Sequence, residues 1–156
     1  MQKRISLLHS ITINAPAEKI FDFISDLSND TKWRPEVEKM EVKGEHKIGT
    51  MIVEYIRIYK FFVIVTPTEI KLLDRPFKFI VETPASHPTW VECIRSIEKA
   101  EGSNSKFTVQ LSFSLDNLRQ IIPFTPPSFA VRWWYGPRMR KYLRNLKRLL
   151  EDPSVF

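Results

Sequence analysis

The chain has little of what defines several common protein classes. It has one cysteine, Cys93, so it can form neither an internal disulfide nor a cysteine-rich zinc site. Its four glycines build no glycine-rich phosphate loop. No segment stays apolar for the ~20 residues that a membrane span requires. Behind Met1-Gln2-Lys3-Arg4, the polar Ser10, Thr12 and Asn14 interrupt the apolar positions and leave no room for a signal-peptide core, so a cytoplasmic location is expected. Serines, histidines and carboxylates show no triad-like spacing. The histidines, His9, His46 and His87, lie far apart, and neither a metal nor a cofactor is expected. His46, in a hairpin turn, and His87, in a proline-rich loop, read as solvated bystanders.

The net charge of +6 is concentrated rather than general. Arg132, Arg138, Arg140, Lys141, Arg144, Lys147 and Arg148 occupy one stretch with no acidic residue, and the rest of the chain holds 17 basic residues against 18 acidic ones. The excess therefore belongs to one helix. Nucleic acid is not an expected partner, because the aromatic residues of that helix fall on its packed side.

The 156 residues fit one domain, 1–156, large enough to bury a substantial core. Ile5, Leu7, Ile11 and Ile13 alternate as one face of a strand, with His9 the polar exception. The period then changes. Asn14-Ala15-Pro16 opens a helix with Pro16 in its first turn, and Ala17, Ile20, Phe21 and Ile24 form its apolar stripe. A second helical piece over Leu27 to Lys32 stops at Trp33-Arg34-Pro35, because the residue before a proline avoids helical geometry. Strands follow over Val37 to Lys43, Thr50 to Tyr59, Phe61 to Leu73, Phe77 to Glu82, Trp90 to Lys99 and Phe107 to Leu115. The last alternates apolar Phe107, Val109, Leu111, Phe113 and Leu115 with polar neighbours, so something must cover one face of the sheet. Met139, Tyr142, Leu143, Leu146, Leu149 and Leu150 supply that cover as an amphipathic helix ending near Asp152-Pro153. Upstream, Pro126-Pro127 can start a helical segment carrying Phe129, Trp133 and Trp134, which Gly136-Pro137 should kink or interrupt.

This order, with the segment Ile11-Thr12-Ile13-Asn14-Ala15-Pro16-Ala17-Glu18-Lys19-Ile20-Phe21-Asp22-Phe23-Ile24-Ser25-Asp26, resembles the START-like (helix-grip, SRPBCC) superfamily, in its polyketide cyclase/dehydrase and lipid-transport branch. Trp33-Arg34-Pro35 is similar to the family's Trp-x-Pro, Gly49 to its glycine before the third strand, and Leu143-Arg144-Asn145-Leu146-Lys147-Arg148-Leu149-Leu150 to its closing leucine run. The resemblance implies an α+β helix-grip fold: a curved antiparallel sheet of about seven strands around a long C-terminal helix, with two short helices after the first strand. It also implies an apolar cavity between sheet and helix, beside which Trp33 and Pro35 shape a loop.

The strand faces and helix stripe put His9, Trp33, Phe79, Val81, Leu111, Phe113, Trp134, Met139 and Tyr142 forward as ligand-binding residues. His9 is open to two readings, a core histidine satisfied by a carbonyl or a polar group on the cavity wall. With Tyr142 it is the candidate for catalysis. Arg95 depends on hairpin register. One pairing faces Trp90 and Ile94 inward and Arg95 to water; a shift of one residue puts Val91, Cys93, Arg95 and Ile97 inside, where the arginine needs an acidic partner. Arg57 is equally open.

The expected function is binding of an apolar small molecule such as a lipid, polyketide, isoprenoid or quinone. Two alternatives stand beside it. One is a polyketide cyclase or dehydratase. The other is a peripheral module that meets an anionic membrane or acidic partner through Arg138, Arg140, Lys141, Arg144, Lys147 and Arg148.

Overall fold

The structure, a computed structural model, describes residues 3–155. Strand β1 (Arg4–Ile13) is followed by helix α1 (Ala17–Ser25), a 3₁₀ turn (Leu27–Asn29) and the short helix α2 (Asp30–Trp33). Six strands come next: β2 (Val37–Lys43), β3 (Met51–Tyr59), β4 (Phe62–Asp74), β5 (Lys78–Glu82), β6 (Val91–Lys99) and β7 (Ser105–Ser114). A 3₁₀ stretch (Leu115–Gln120) leads to the long helix α3 (Ser128–Glu151). All seven strands form one sheet in the order β1-β7-β6-β5-β4-β3-β2, with every neighbouring pair antiparallel. The sheet curves around α3, which is the helix-grip arrangement.

Two local expectations are corrected. Pro16 stands at the cap position, with φ −66° and ψ 151°, and α1 begins one residue later. Phe77 belongs to the turn before β5, where its N–H donates to Asp74 O, and it is 50% exposed rather than on the buried face.

Helix α3 runs unbroken for 24 residues through Gly136 and Pro137. Pro137 points to solvent, so its ring meets no neighbouring element, while Gly136 is buried where the helix crosses β1. One turn on, Arg138 Nη1 donates to Trp134 O at 3.0 Å. The helix therefore tolerates its proline without a break.

Hairpin register settles Arg95, and exposed contacts place Arg57. Lys99 pairs with Ser105, Ile97 with Phe107, Arg95 with Val109 and Cys93 with Leu111, so Val91, Cys93, Arg95 and Ile97 all face inward. Arg95 is 2% exposed. Arg57 faces outward, bound to Glu38 and to Lys60 O. Trp90 is also on the outer face, its Nε1 donating to Glu82 at 2.6 Å beneath the guanidinium of Arg4.

The core is densest at one end, where Leu143, Leu146 and Leu150 of α3 share a buried cluster with Ile13, Ile20, Ile24 and Phe107. Burying one such side chain contributes ~1.5–3 kcal/mol, so this end anchors the fold. The other half of α3 has a different neighbour.

Candidate functional site

Between the concave face of the sheet and the first half of α3 lies a cavity of about 570 Å³. The helix presents Val131, Trp134, Tyr135, Arg138, Met139 and Tyr142 to it, a single stripe at helical spacing. Opposite stand Ile56 and Ile58 of β3, Val81 of β5, Cys93 of β6, and Leu111 and Phe113 of β7. The wall is thus mostly aliphatic and aromatic, the environment in which small apolar molecules are bound.

Its polar part is concentrated near α2. Asp30 is fully buried and accepts from Arg95 twice, at 2.9 Å (Nη1) and 2.5 Å (Nη2), and from Arg34 Nη1 at 2.9 Å. Arg95 Nη1 also donates to Ile24 O at 2.6 Å, and Arg34 Nη1 to Glu54 at 2.6 Å. Two arginines therefore face two carboxylates, and the chain of bonds is neutral as a whole. Burial works against the charge of Arg34, yet Glu54 and Asp30 outweigh it and hold its pKa well above the usual value. Arg95 follows the same logic, with Asp30 overcoming the cost of burial. Arg95 also lies 5.1 Å from the centre of the Trp33 ring.

Beside this chain lie Tyr135, Tyr142 and Glu36. Burial first, then the neighbouring Tyr135 and Glu36, push the Tyr142 hydroxyl far above its ordinary pKa, and burial raises that of Tyr135. Both remain protonated and can donate. Burial likewise raises the Cys93 thiol, against the pull of Arg95 and Arg34.

Among the described residues, the buried side-chain polar atoms without a hydrogen-bond partner are Trp33 Nε1, Arg95 Nε, Glu36 Oε2 and Asn117 Oδ1. All four residues line this cavity. Buried polar groups are nearly always satisfied, so two unmet donors and two unmet acceptors in the lining of one cavity are unusual.

Of the residues read from the sequence, Trp33, Val81, Leu111, Phe113, Trp134, Met139 and Tyr142 line the cavity. Two do not. His9 lies under α3, with Nε2 only 3.7 Å from where a Cβ on Gly136 would stand, so it fills the helix–sheet contact instead of the cavity wall. Burial, then Arg140, lower its pKa. Phe79 is fully buried and stacks on the His46 ring at 6.3 Å, away from the cavity. His46 is exposed, as read, with its Nε2 2.6 Å from Ser25 O. His87 is only partly exposed and lines the cavity, with Nδ1 2.8 Å from Thr89 O. The basic set on α3 is not one free face: Arg138 packs over Trp134 at 4.2 Å, and Lys147 donates to Thr12 O and Glu151.

The sequence reading missed Asp30, Arg34, Glu36, Glu54 and Tyr135. Two signals were present: the helical i,i+4 spacing of Asp30 and Arg34, and a lone acid among the inward positions Ile52, Glu54, Ile56 and Ile58.

Fold and cavity together define a START-like protein with a largely apolar internal pocket. The sequence profile of the polyketide cyclase / dehydrase and lipid transport family matches residues 4–151, and the chain belongs to that family. No curated protein sequence matches. Among solved structures, the Zhui aromatase/cyclase from Streptomyces sp. R1128 superposes with a TM-score of 0.74 at 12% identity, over 96% of this chain and 94% of that one. A START superfamily protein from Mycobacterium smegmatis also gives 0.74, at 16% identity, covering 94% and 97%. Truncated norcoclaurine synthase from Thalictrum flavum gives 0.65 at 14% identity, covering 96% and 94%. At such identities the likeness is one of fold.

Proposed function

We propose that this protein binds a neutral, mainly apolar small molecule bearing hydroxyl or carbonyl groups. The observation that carries this reading is the pairing of a 570 Å³ apolar cavity with unmet donors and acceptors in its lining. The apolar lining supplies affinity through burial. The arginines are already matched by Asp30 and Glu54, so the site does not ask for a charged ligand. Trp33 Nε1 would donate to a ligand oxygen, and Glu36 Oε2 would accept from a hydroxyl. A plain hydrocarbon would leave both unmet, which disfavours it.

Native mass spectrometry on detergent-free protein, followed by titration with paired hydroxylated and deoxygenated apolar compounds, tests this. The hydroxylated member of each pair should bind more tightly, and Leu111→Trp, which fills the cavity, should bind neither. Glu36→Gln should weaken the hydroxylated compound about fivefold, roughly one hydrogen bond, and leave its partner unchanged. Equal affinity within pairs, or undiminished binding by Leu111→Trp, rejects the reading.

One observation favours a second reading, a cyclase or dehydratase. The Tyr142 hydroxyl is held protonated in the cavity beside the Glu36 carboxylate, so it could stabilise or protonate an enolate oxygen. Incubation with a reactive poly-β-ketone tests it. The protein should then change the ratio of cyclised products, and Tyr142→Phe should abolish that change. A product ratio identical to the uncatalysed one leaves binding alone.

A further inference from the structure

Much of the exposed aromatic surface of this protein lies at one end, and topology says which. Strands β2 to β7 form a meander, so their connections alternate between the two ends of the sheet. The β3–β4 turn, the β5–β6 loop, the β7–α3 connection and the first turns of α3 therefore share one end. It is also the mouth of the cavity, whose lining includes Ile58, His87, Leu118 and Val131 from these segments and nothing from the opposite turns. At this end Phe61 is 95% exposed, Phe62 45%, Phe124 58%, Phe129 74% and Trp133 81%. Single exposed apolar side chains are ordinary, but five aromatic ones at one end of the molecule are a concentration that calls for a partner. Phe129 and Trp133 stand one helical turn apart, on the same face of α3.

The connecting segments at this end are mainly basic. Residues 60–65, 83–90 and 115–134 carry Lys60, Arg119 and Arg132 against one acid, Asp116, which already accepts a hydrogen bond from Thr125.

We propose that this aromatic rim docks the protein on an anionic phospholipid bilayer, with the cavity mouth turned toward the lipid. Aromatic side chains, tryptophan above all, favour the headgroup boundary, and the basic residues are drawn to anionic lipid. A second copy of the chain is a poorer occupant, because it would set Lys60, Arg119 and Arg132 against themselves. The rim also lies at the same end as the opening of the apolar cavity, so a ligand could pass between bilayer and cavity without crossing water. Only that last point rests on the ligand-binding reading; docking requires the rim alone.

Flotation with vesicles of phosphatidylcholine, with and without phosphatidylglycerol, tests the proposal on the full chain. The protein should float with the phosphatidylglycerol vesicles, and its tryptophan emission should shift to the blue as Trp133 leaves water. Raising the salt should weaken binding. Phe61→Ser/Phe129→Ser should lower the vesicle partition coefficient about tenfold or more with an unchanged melting temperature, since both side chains are exposed. Arg144→Gln/Arg148→Gln, away from the mouth, should float as the parent does. Leu111→Trp should also still float, which separates docking from ligand binding. Absence of flotation, equal flotation of the Phe61→Ser/Phe129→Ser variant, or its loss in Arg144→Gln/Arg148→Gln would overturn the proposal. So would a dimer in solution that the rim variant abolishes, which would assign the rim to a second copy.

Discussion

Asp30 and Arg95, 65 residues apart in the chain, meet as a two-pronged ion pair with almost no exposure on either side. The pair ties α2 to β6 and, through Arg34 and Glu54, to β3. Asp30→Asn should cost about 3–5 kcal/mol in urea unfolding, because it leaves two buried guanidiniums short of a counter-charge. Adding Arg95→Met to it should lose less than the two single losses summed, since the unpaired charge goes with its partner. Strict additivity would show that the pair does not act as a unit.

Stability should fall with acid partly through His9. Its folded-state pKa lies below the ordinary 6.5 because of burial and Arg140. The unfolded chain thus binds the proton first, and the contribution declines as pH drops below 6.5 until the folded-state pKa is reached. His9→Gln removes that part of the slope. Urea midpoints compared at about pH 7.5 and about pH 5 should move less in the variant than in the parent.

Gly136 offers a gain. A Cβ there would lie 3.6 Å from Arg140 Nη1 and 3.7 Å from His9, which is ordinary contact. Gly136→Ala should therefore raise stability by about 0.5–1 kcal/mol, the difference between the two residues inside a helix. A loss in thermal unfolding would mean that α3 and β1 approach more closely than these distances say.

Cys93 is a built-in reporter, because it is the single cysteine and lines the cavity. Burial holds its thiol protonated beyond the usual range, so a maleimide should react slowly at neutral pH. Saturation with a neutral apolar fluorophore such as N-phenyl-1-naphthylamine should slow labelling further. An unchanged labelling rate would place the fluorophore elsewhere.

The strands and helices were legible because their signals are local. Period-two runs such as Phe107 to Phe113 and the α3 stripe from Met139 to Leu150 depend only on which side faces water. The orientation of Arg95 was not, because it hung on one residue of register between β6 and β7. His9 failed for another reason. It does lie on the inward face of β1, but α3 crosses β1 at Gly136 and takes that space before the cavity begins. The polar chain of Asp30, Arg34, Arg95 and Glu54 joins three elements distant in sequence, so no window along the chain contained it.

Helix α3 divides its labour along its length. Up to Tyr142 its inner stripe borders the cavity, while Leu143, Leu146 and Leu150 are packed into the core. A substitution at the part-buried Trp134, Tyr135 or Arg138 changes the shape offered to a guest and removes few packing contacts; one in the second half threatens the fold itself. The two properties are thereby uncoupled, and a lineage of such proteins could change its guest repeatedly without first acquiring spare stability.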